Sequence, residues 1–417
     1  MMTHTDSEKL PDTPEQGRFH VFAALRYGQY RLFWLAGAFS NIGMWALIFG
    51  RLWLMHKLTD SPFMLGVVTI ASLGPVILFS MWGGVIADRV NRLRLVTTTR
   101  CMFALLAFLT AILIATEVIL PWHLILISLT TGLLLALDIP SRQAMLPNLV
   151  PKEHLVNAVA VYAFVTSGSH IIGPAMFAPL VSLWGLEGLF FLIAIAYALT
   201  VVTLLLMRPL PKIATSNSGN LWQGLKEGLS YVRDHRMIRS VLLIGIVGGL
   251  FGMSFETLLP VFADQVLTGD VYVYGWLLLA AGIGGVSGTI ILAFIGTTKN
   301  ARPIQFIAGL GLGLGLAIFS QIGWLPLALV IIAVVGASGV TFMTINNTIV
   351  QNLVDEEYRG RVMSLHQLTW GSTSIGGFLL GSLAQIINAP FAFLVGGLIA
   401  AIGTASISLY ASRRFDN

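Results

Sequence analysis

Apolar runs follow one another along almost the whole chain, and charged residues fall mainly in the short gaps between these runs. Of the 417 residues, 56% are hydrophobic and only 10% are charged, whereas soluble domains carry about 25% charged residues. One membrane-crossing helix takes roughly 20 apolar residues, so a chain of this length accommodates about twelve crossings. The sequence therefore predicts an all-α membrane protein that crosses the bilayer many times.

Twelve transmembrane spans can be drawn from the apolar runs and their polar boundaries. The predicted spans are Leu32–His56, Leu65–Ala87, Leu95–Glu117, Trp122–Leu137, Leu155–Leu183, Leu189–Met207, Ser240–Val261, Gly275–Gly296, Ile304–Phe319, Leu325–Asn347, Arg361–Ile387 and Phe391–Ala411. The organisation that follows is a cytoplasmic N-terminal tail (1–30), a six-helix bundle (31–207), a linker (208–239), a second six-helix bundle (240–411) and a cytoplasmic tail (412–417). Within the linker, Leu221, Leu225 and Leu229 recur at helical spacing, which predicts an amphipathic helix on the membrane surface.

Nearly all basic residues fall on one side of the predicted spans. Of 24 Lys and Arg residues, 22 lie in loops, tails and adjoining span ends assigned to that side, and the exceptions are Arg51 and Lys57. Cytoplasmic loops of membrane proteins carry such an excess. The pattern therefore predicts cytoplasmic termini and an even number of spans. It also accounts for the net charge of +5 without a nucleic-acid partner.

Two other features narrow the class of protein. The first 30 residues are polar and lack the apolar core of a cleavable signal peptide, so we expect them to remain as a tail. The single Cys101 excludes a disulfide within one chain and a multi-cysteine metal cluster. We therefore expect no metal and no other cofactor.

The second half of the chain repeats landmarks of the first. Gly66, which follows Leu58-Thr59, lies 209 positions before Gly275, which follows Leu267-Thr268. Asn148-Leu149-Val150 and Gly173 lie 204 positions before Asn352-Leu353-Val354 and Gly377. A nearly constant offset over more than a hundred residues is typical of duplicated halves. It predicts two pseudo-symmetric six-helix bundles.

The turn after the second span carries a recognisable motif. Gly84, Ile86, Ala87-Asp88-Arg89 and Arg92 resemble the loop between helices 2 and 3 of major facilitator superfamily transporters, with Asn91 and Leu93 in place of the usual glycine and basic residue. Asp138 to Gln143, Leu149-Val150-Pro151 and Arg359-Gly360-Arg361 look like the bacterial enterobactin-exporter and macrolide-efflux branch. Gly173-Pro174 resembles the antiporter motif of helix 5, although Phe177-Ala178 replaces its glycine pair.

This resemblance implies the major facilitator fold and a function in transport. It implies a monomeric exporter of small amphipathic molecules, of the drug or siderophore type, in the bacterial cytoplasmic (inner) membrane. Alternating access and proton antiport would follow, with the proton gradient as the energy source and with the bilayer, the solute and protons as partners. The same fold also serves uniporters, importers and lipid translocators. A non-transporting receptor and an intramembrane enzyme are further alternatives, but no His-Glu-x-x-His, Gly-x-Ser-x-Gly or nucleotide-binding Gly-x-x-x-x-Gly-Lys motif occurs.

Charged residues inside the predicted spans are candidates for coupling, because a charge at the bilayer centre costs at least about 3 kcal/mol. Arg51 and Glu256 lie in the outer parts of the first and seventh spans, which face each other in the family fold. We expect these two residues to meet when the outer side is closed and Glu256 to carry the proton, unless each extends to the interface. His170, before Gly173-Pro174, is a candidate proton relay or anion ligand, or a packed histidine.

A second set of candidates lies at the inner ends of the spans. We expect an inner gate in which Asp88 caps the start of the eleventh span; it comprises Gly84, Asp88, Arg89, Arg92, Asp138 and Arg142. A third set would line the substrate cavity with aromatic and sparsely polar side chains. It comprises Asn41, Trp45, Phe251, Thr341 and Trp370, for which lipid or helix packing is the alternative.

Overall fold

The computed structural model describes residues 23–208, 221–295 and 301–412, which are helical apart from short turns. The helices are α1 (Gly28–Thr59), α2 (Pro62–Arg89), α3 (Arg92–Ala115), α4 (Pro121–Met145), α5 (Leu155–Leu205), α6 (Leu221–Asp234), α7 (Arg236–Val266), α8 (Val271–Ile295), α9 (Ala301–Phe319), α10 (Leu325–Leu353), α11 (Glu356–Ile386) and α12 (Ala389–Ser412). Short 3₁₀ turns occur at Ala23–Arg26, Leu146–Asn148 and Lys152–His154. Among the described residues, ten helices are long and apolar enough to cross a membrane, namely all of these except α6 and α11.

The turn between α2 and α3 is shorter than the sequence suggested. α2 continues to Arg89 and α3 begins at Arg92, so the turn consists of Val90 and Asn91. The Asn91 side chain accepts a hydrogen bond from the backbone N–H of Arg94 at 3.1 Å and so caps α3. The predicted boundaries at Ala87 and Leu95 are therefore wrong by two or three residues, and both motif arginines lie on helices.

The predicted fifth and sixth spans form one hydrogen-bonded element that is broken at Gly185. The φ angle of Gly185 is +69°, which glycine adopts without steric cost because it has no Cβ. The 51-residue α5 therefore consists of two arms, residues 155–184 and 186–205.

The seventh span is longer and less regular than the predicted Ser240–Val261. It runs from Arg236 to Val266 and contains wide π-type turns at Gly248–Gly252 and Phe262–Val266, with a tight 3₁₀ stretch at Met253–Leu258 between them. Glycine is required here, because a Cβ at Gly249 would lie 2.2 Å from Ser372 Oγ. A wide turn shifts the following side chains around the helix axis, so the direction of Glu256 does not follow from a 3.6-residue period.

The helices pack as two groups. We call α1 to α5 the N-terminal group and α7 to α12 the C-terminal group; α2 packs against α11 and α5 against α8 where the groups meet. Glycines at repeated positions make these contacts. A Cβ on Gly66 would lie 2.8 Å from Phe378 Cα of α11, and one on Gly275 would lie 2.4 Å from Ala178 Cβ of α5.

The second repeated pair of glycines packs within each group. A Cβ on Gly173 of α5 would lie 2.8 Å from Trp45 Cβ of α1, and one on Gly377 of α11 would lie 2.6 Å from Thr257 Oγ1 of α7. Each of these four repeated glycines is thus a site of close helix contact, and the two members of each pair make corresponding contacts.

The amphipathic helix α6 packs against the start of α11. Glu227 Oε2 lies 3.1 Å from Arg361 Nη1, and the rings of Tyr231 and Tyr358 stack at 4.4 Å. The remaining parts of the predicted tails and linker, residues 1–22, 209–220 and 413–417, lie outside the described residues, as do residues 296–300.

Candidate functional site

A cavity of about 220 Å³ lies between the two groups. Its walls come from α1, α2, α7, α8, α10 and α11, with Pro174 of α5, and they are mainly apolar. Two ionisable side chains, Arg51 from α1 and Glu256 from α7, also line it. Pockets that hold drug-sized ligands measure about 300–1,000 Å³, so in this state the cavity accommodates a small solute or part of a larger one.

Arg51 is almost fully buried, with 2% of its surface exposed. Its Nη2 donates a hydrogen bond of 2.6 Å to Thr131 Oγ1, and that hydroxyl donates to the carbonyl of Ile127. Arg51 Nε has no hydrogen-bond partner, and no described carboxylate lies within ion-pair distance of the guanidinium. The cavity wall therefore presents a buried cation with an unused donor.

Glu256 lies in the irregular part of α7 and is partly buried. No hydrogen bond or ion pair of its carboxylate occurs among residues 23–208, 221–295 and 301–412. The predicted contact between Arg51 and Glu256 is therefore absent in this state, and Arg51 bonds to Thr131 instead. Glu256 follows the first wide turn of α7 and lies in the 3₁₀ stretch, so a regular helical period does not give the direction of its side chain.

Of the aromatic and polar residues predicted to line the cavity, Trp45 and Trp370 do so. Asn41, Phe251 and Thr341 are not among its lining residues in this state. The amide of Asn41 donates to the carbonyl of Gly37 at 2.7 Å. Phe251 lies in the first wide turn of α7, and Thr341 packs beside Gly288 of α8.

The two groups are joined by polar contacts at the end where α1 meets α2, which we call the α1–α2 end. His56 Nε2 donates to Asp264 Oδ2 at 2.8 Å, and His56 is 2% exposed. Gln265 Nε2 donates to Asp60 Oδ1 at 3.3 Å, and Ser61 Oγ donates to Gln385 Oε1 at 2.6 Å. We call these three pairs the end clasp. It brings the ends of α1 and α2 onto α7 and α11, and so closes the cavity at this end.

Rings add apolar contact beneath the end clasp. Trp53 of α1 stacks on Tyr274 of α8 at 5.3 Å, and the edge of Phe177 of α5 meets the same tyrosine at 5.4 Å. Because all three side chains are nearly inaccessible, water is excluded from this end of the cavity.

The residues that come nearest to a metal site among those described are His56, Asp60 and Asp264, whose donor atoms lie within 4.8 Å of one another. Ligand atoms around a zinc ion are closer, at about 3.5 Å, because each bond is about 2.1 Å long. Lys57 Nζ also lies 3.8 Å from Asp264 Oδ1, and its charge opposes a second cation. The arrangement therefore fits a hydrogen-bonded contact better than a metal centre.

At the opposite end, where α2 meets α3, a buried charge network lies within the N-terminal group. Asp138 is fully buried, and its Oδ2 accepts from Arg100 Nη2 at 2.5 Å and lies 3.7 Å from Arg142 Nε. Thr99 Oγ1 donates to Asp138 Oδ1 at 3.0 Å, and Arg142 Nη1 donates to the Tyr162 hydroxyl at 3.1 Å. The network ties α3, α4 and α5 together.

The remaining residues of the predicted inner gate are more dispersed. Arg92 Nη1 donates to the carbonyl of Ala144 at 3.3 Å, and Arg89 is exposed. Gly84 and Asp88 lie on α2 and His170 lies on α5, but the side-chain environments of these residues are outside the described part of the structure. The predicted cap by Asp88 and the relay by His170 stay predictions.

The chain matches a known protein family over almost its whole length. A family model described as "transmembrane secretion effector" matches residues 20–417. The chain belongs to this family. It is a multi-pass membrane transporter of the major facilitator superfamily rather than an enzyme, which confirms the resemblance drawn from the sequence.

Two bacterial transport proteins are among the relatives of this chain. The staphyloferrin A transporter of Staphylococcus aureus (strain NCTC 8325 / PS 47) is 27% identical over 364 residues, which cover 86% of this chain and 90% of that protein. Macrolide efflux protein A of Streptococcus pyogenes is 23% identical over 94% of this chain and 99% of its own. A crystal structure of a D-xylose-proton symporter superposes with a TM-score of 0.72 at 12% identity, over 91% of this chain and 96% of that one, which shows the fold alone.

Several residues of the transporter's polar contacts were not identified from the sequence, among them Arg100, His56 and Asp264. Arg100 had a signal, because it lies inside the third predicted span, where a charge is as costly as at Arg51. His56 and Asp264 had a weaker one, since each lies a few residues before a repeated Leu-Thr pair. Their contact across the groups depends on the wide turn at Phe262–Val266 and could not be read from spacing.

Proposed function

We propose that the transporter exports small amphipathic molecules, of the drug or siderophore type, across the bacterial inner membrane by alternating access and proton antiport. The observation that carries this proposal is the cavity between the groups, in which Arg51 and Glu256 are unpaired beneath the end clasp. The names of the two relatives, a staphyloferrin A transporter and a macrolide efflux protein, support this class of solute.

The moving parts in this proposal are two pseudo-symmetric six-helix bundles, residues 31–207 and 240–411. Ten helices qualify as spans by length and composition. Counting the two arms of α5 separately and adding the 31-residue α11, which packs on α2 and α7, gives twelve spans, six in each group. The linker 208–239 and both tails are cytoplasmic in this topology, which places the α1–α2 end outside. The transporter would act as a single chain.

The described state is then one in which the outer side is shut by the end clasp. A solute enters from the cytoplasmic side and contacts Trp45, Trp370 and the two charged side chains. Breaking the His56–Asp264 contact lets α1 and α2 separate from α7 and α11, so that the cavity opens outward. At the cytoplasmic side, Asp88, with Gly84, Arg89 and Arg92, would close the gate in the other state by capping α11.

Proton coupling is assigned to Glu256. Its carboxylate can bind a solute group or a proton but not both, so that each occupant displaces the other. A proton taken up from outside would release the solute there, and deprotonation at the cytoplasmic side would restore solute binding. Where Arg51 comes within reach of it during the cycle, the guanidinium would stabilise the ionised carboxylate in the apolar cavity, and His170 is a candidate relay to it.

The test is transport into proteoliposomes with an imposed pH gradient, with a fluorescent amphipathic dye as solute. We expect dye movement driven by the gradient in the wild type and no gradient-driven movement in Glu256→Gln. The matched control is Glu357→Gln, an exposed glutamate at the start of α11.

Each other outcome has a definite meaning. A Glu256→Gln variant with unchanged pH dependence would remove the proton-carrier role. Wild-type movement that ignores the gradient would indicate a uniporter, movement together with the proton an importer, and movement of labelled lipid but not dye a lipid translocator. No counterflow of any solute would indicate a receptor.

A further inference from the structure

A groove of about 870 Å³ lies at the α2–α3 end of the molecule, away from the central cavity. It is bounded by the junction of α6 and α7, the end of α10 and the end of α12. None of its lining residues belongs to the cavity between the groups or to the end clasp. The transport cycle proposed above therefore leaves it without a role.

The mouth of the groove is basic. Arg236 is exposed, and no described carboxylate pairs with it. Arg239 donates to the carbonyl of Arg233 at 3.1 Å, which leaves its charge uncompensated. The acid at this mouth, Asp234, is already 3.1 Å from Arg233 Nε. The two arginines thus give the mouth a positive charge that an anion would complement.

The wall of the groove is apolar. Leu243 lies seven residues after Arg236 on α7, which places it about 10 Å further along the helix axis, toward the membrane core. Leu243 is 45% exposed, and Ile407 and Tyr410 of α12 form the facing wall. A soluble anion would leave this apolar wall uncovered, whereas a molecule with a charged head and an alkyl chain would cover both the basic mouth and the apolar wall.

The chain's own neighbouring segments do not match the charge. Residues 209–220 contain Lys212 and no acid, and residues 413–417 contain Arg413 and Arg414 against Asp416. Neither segment has the excess of acidic residues that would neutralise the two arginines of the groove. Neither of the two segments that adjoin the groove is therefore a charge-matched occupant.

We propose that this groove binds an anionic phospholipid of the cytoplasmic leaflet. Its phosphate head contacts Arg236 and Arg239, and an acyl chain lies along Leu243 and Ile407. Basic pockets between transmembrane helices on the cytoplasmic side are suited to such heads. Because α6 ends and α7 begins at this mouth, a bound lipid would fix the linker against the C-terminal group.

Purified full-length transporter in detergent is incubated with phosphatidylglycerol, with phosphatidylcholine or with inorganic phosphate. Retained lipid is counted by native mass spectrometry, and thermal unfolding is followed in parallel. We expect phosphatidylglycerol to be retained and to raise Tm, and the other two additives to have little effect. Removing each arginine should weaken retention by about fivefold.

Three variants make the result decisive. Arg236→Gln with Arg239→Gln should lose retention, and Arg236→Lys with Arg239→Lys should keep most of it. Arg94→Ala with Lys152→Ala removes two exposed charges from the same end without touching the groove, and should behave as wild type. Equal retention by the glutamine variant, or an equal response to phosphatidylcholine or to phosphate alone, would overturn the proposal.

Discussion

The two helix groups have a side-chain contact at equivalent positions, but only the contact in the N-terminal group includes a charged residue. Arg142 and Tyr162 lie 204 positions before Asn346 and His366, the same offset as other repeated residues. Arg142 donates to Tyr162 at 3.1 Å, and His366 Nε2 lies 2.9 Å from Asn346 Oδ1. The first contact joins α4 to α5, and the second joins α10 to α11. Equivalent helices are thus joined at the same level, once by a cation and once by neutral groups.

The difference extends to the next turn. Asp138, which completes the charge network with Arg100, lies 204 positions before Phe342, and both Asp138 and Phe342 are fully buried. A buried charge network is strongly destabilised when one partner is removed, because the remaining charges stay desolvated. A neutral contact loses only its hydrogen bonds. We therefore expect substitutions at this level to destabilise the N-terminal group more than the C-terminal group.

The largest effect is expected from Asp138→Asn. The change leaves the guanidinium groups of Arg100 and Arg142 buried without a carboxylate, and should cost about 3–5 kcal/mol of folding free energy. In the C-terminal group, Asn346→Ala removes the neutral contact at this level and should cost about 1–2 kcal/mol. Thermal unfolding of both purified variants in detergent, followed by tryptophan fluorescence, measures the contrast. Equal losses in Tm would mean that the charges make no difference.

The sequence predicted most of the framework and little of the contact chemistry. Apolar runs and the basic-residue bias depend on the chain alone, and so does the repeat, which is why Gly66 and Gly275 could be matched before their contacts were known. The first irregular turn of α7 lies where Gly248 and Gly249 meet Phe342 and Ser372, which are about 90 to 120 residues further along the chain. Positions after that turn, such as Glu256 and Asp264, therefore could not be placed by helical period.

A smaller effect is expected at the glycines where the groups meet. Gly66→Ala would bring a methyl group to 2.8 Å from Phe378 Cα, and Gly275→Ala would bring one to 2.4 Å from Ala178 Cβ. Overpacking of this kind costs about 1–3 kcal/mol, and here it destabilises the state in which the groups touch. Both variants should transport more slowly and should favour opening at the α1–α2 end.

Rescue separates the two glycine contacts. Ala178→Gly removes the methyl group that Gly275→Ala would meet, so the double variant should recover. No such rescue exists for Gly66→Ala, because its neighbours are the backbone atoms of Gly377 and Phe378. Gly360→Ala, where a Cβ meets nothing within 4 Å, is the control and should be neutral. If the double variant does not recover transport, the α5–α8 contact is not what limits closure.

The smallest effect is expected from the end clasp, which belongs to neither group alone. Asp264→Asn weakens the contact with His56, and because Asp264 is partly exposed we expect a cost of about 1 kcal/mol, or about a fivefold shift toward opening. The reporter is Thr373→Cys, a cavity position, in a Cys101→Ser background. An impermeant maleimide added at the α1–α2 end should label it about five times faster.

The matched control for this change is Asp270→Asn. Asp270 lies in the turn between α7 and α8, close in sequence to Asp264, and is exposed. It accepts a hydrogen bond from the backbone N–H of Tyr272 that an asparagine can also accept. Its labelling rate should equal that of the reporter alone. If the Asp264→Asn variant is labelled at the same rate as the reporter alone, the polar pairs do not hold this end closed. Closure would then depend on the rings of Trp53 and Tyr274 and on the glycine contacts.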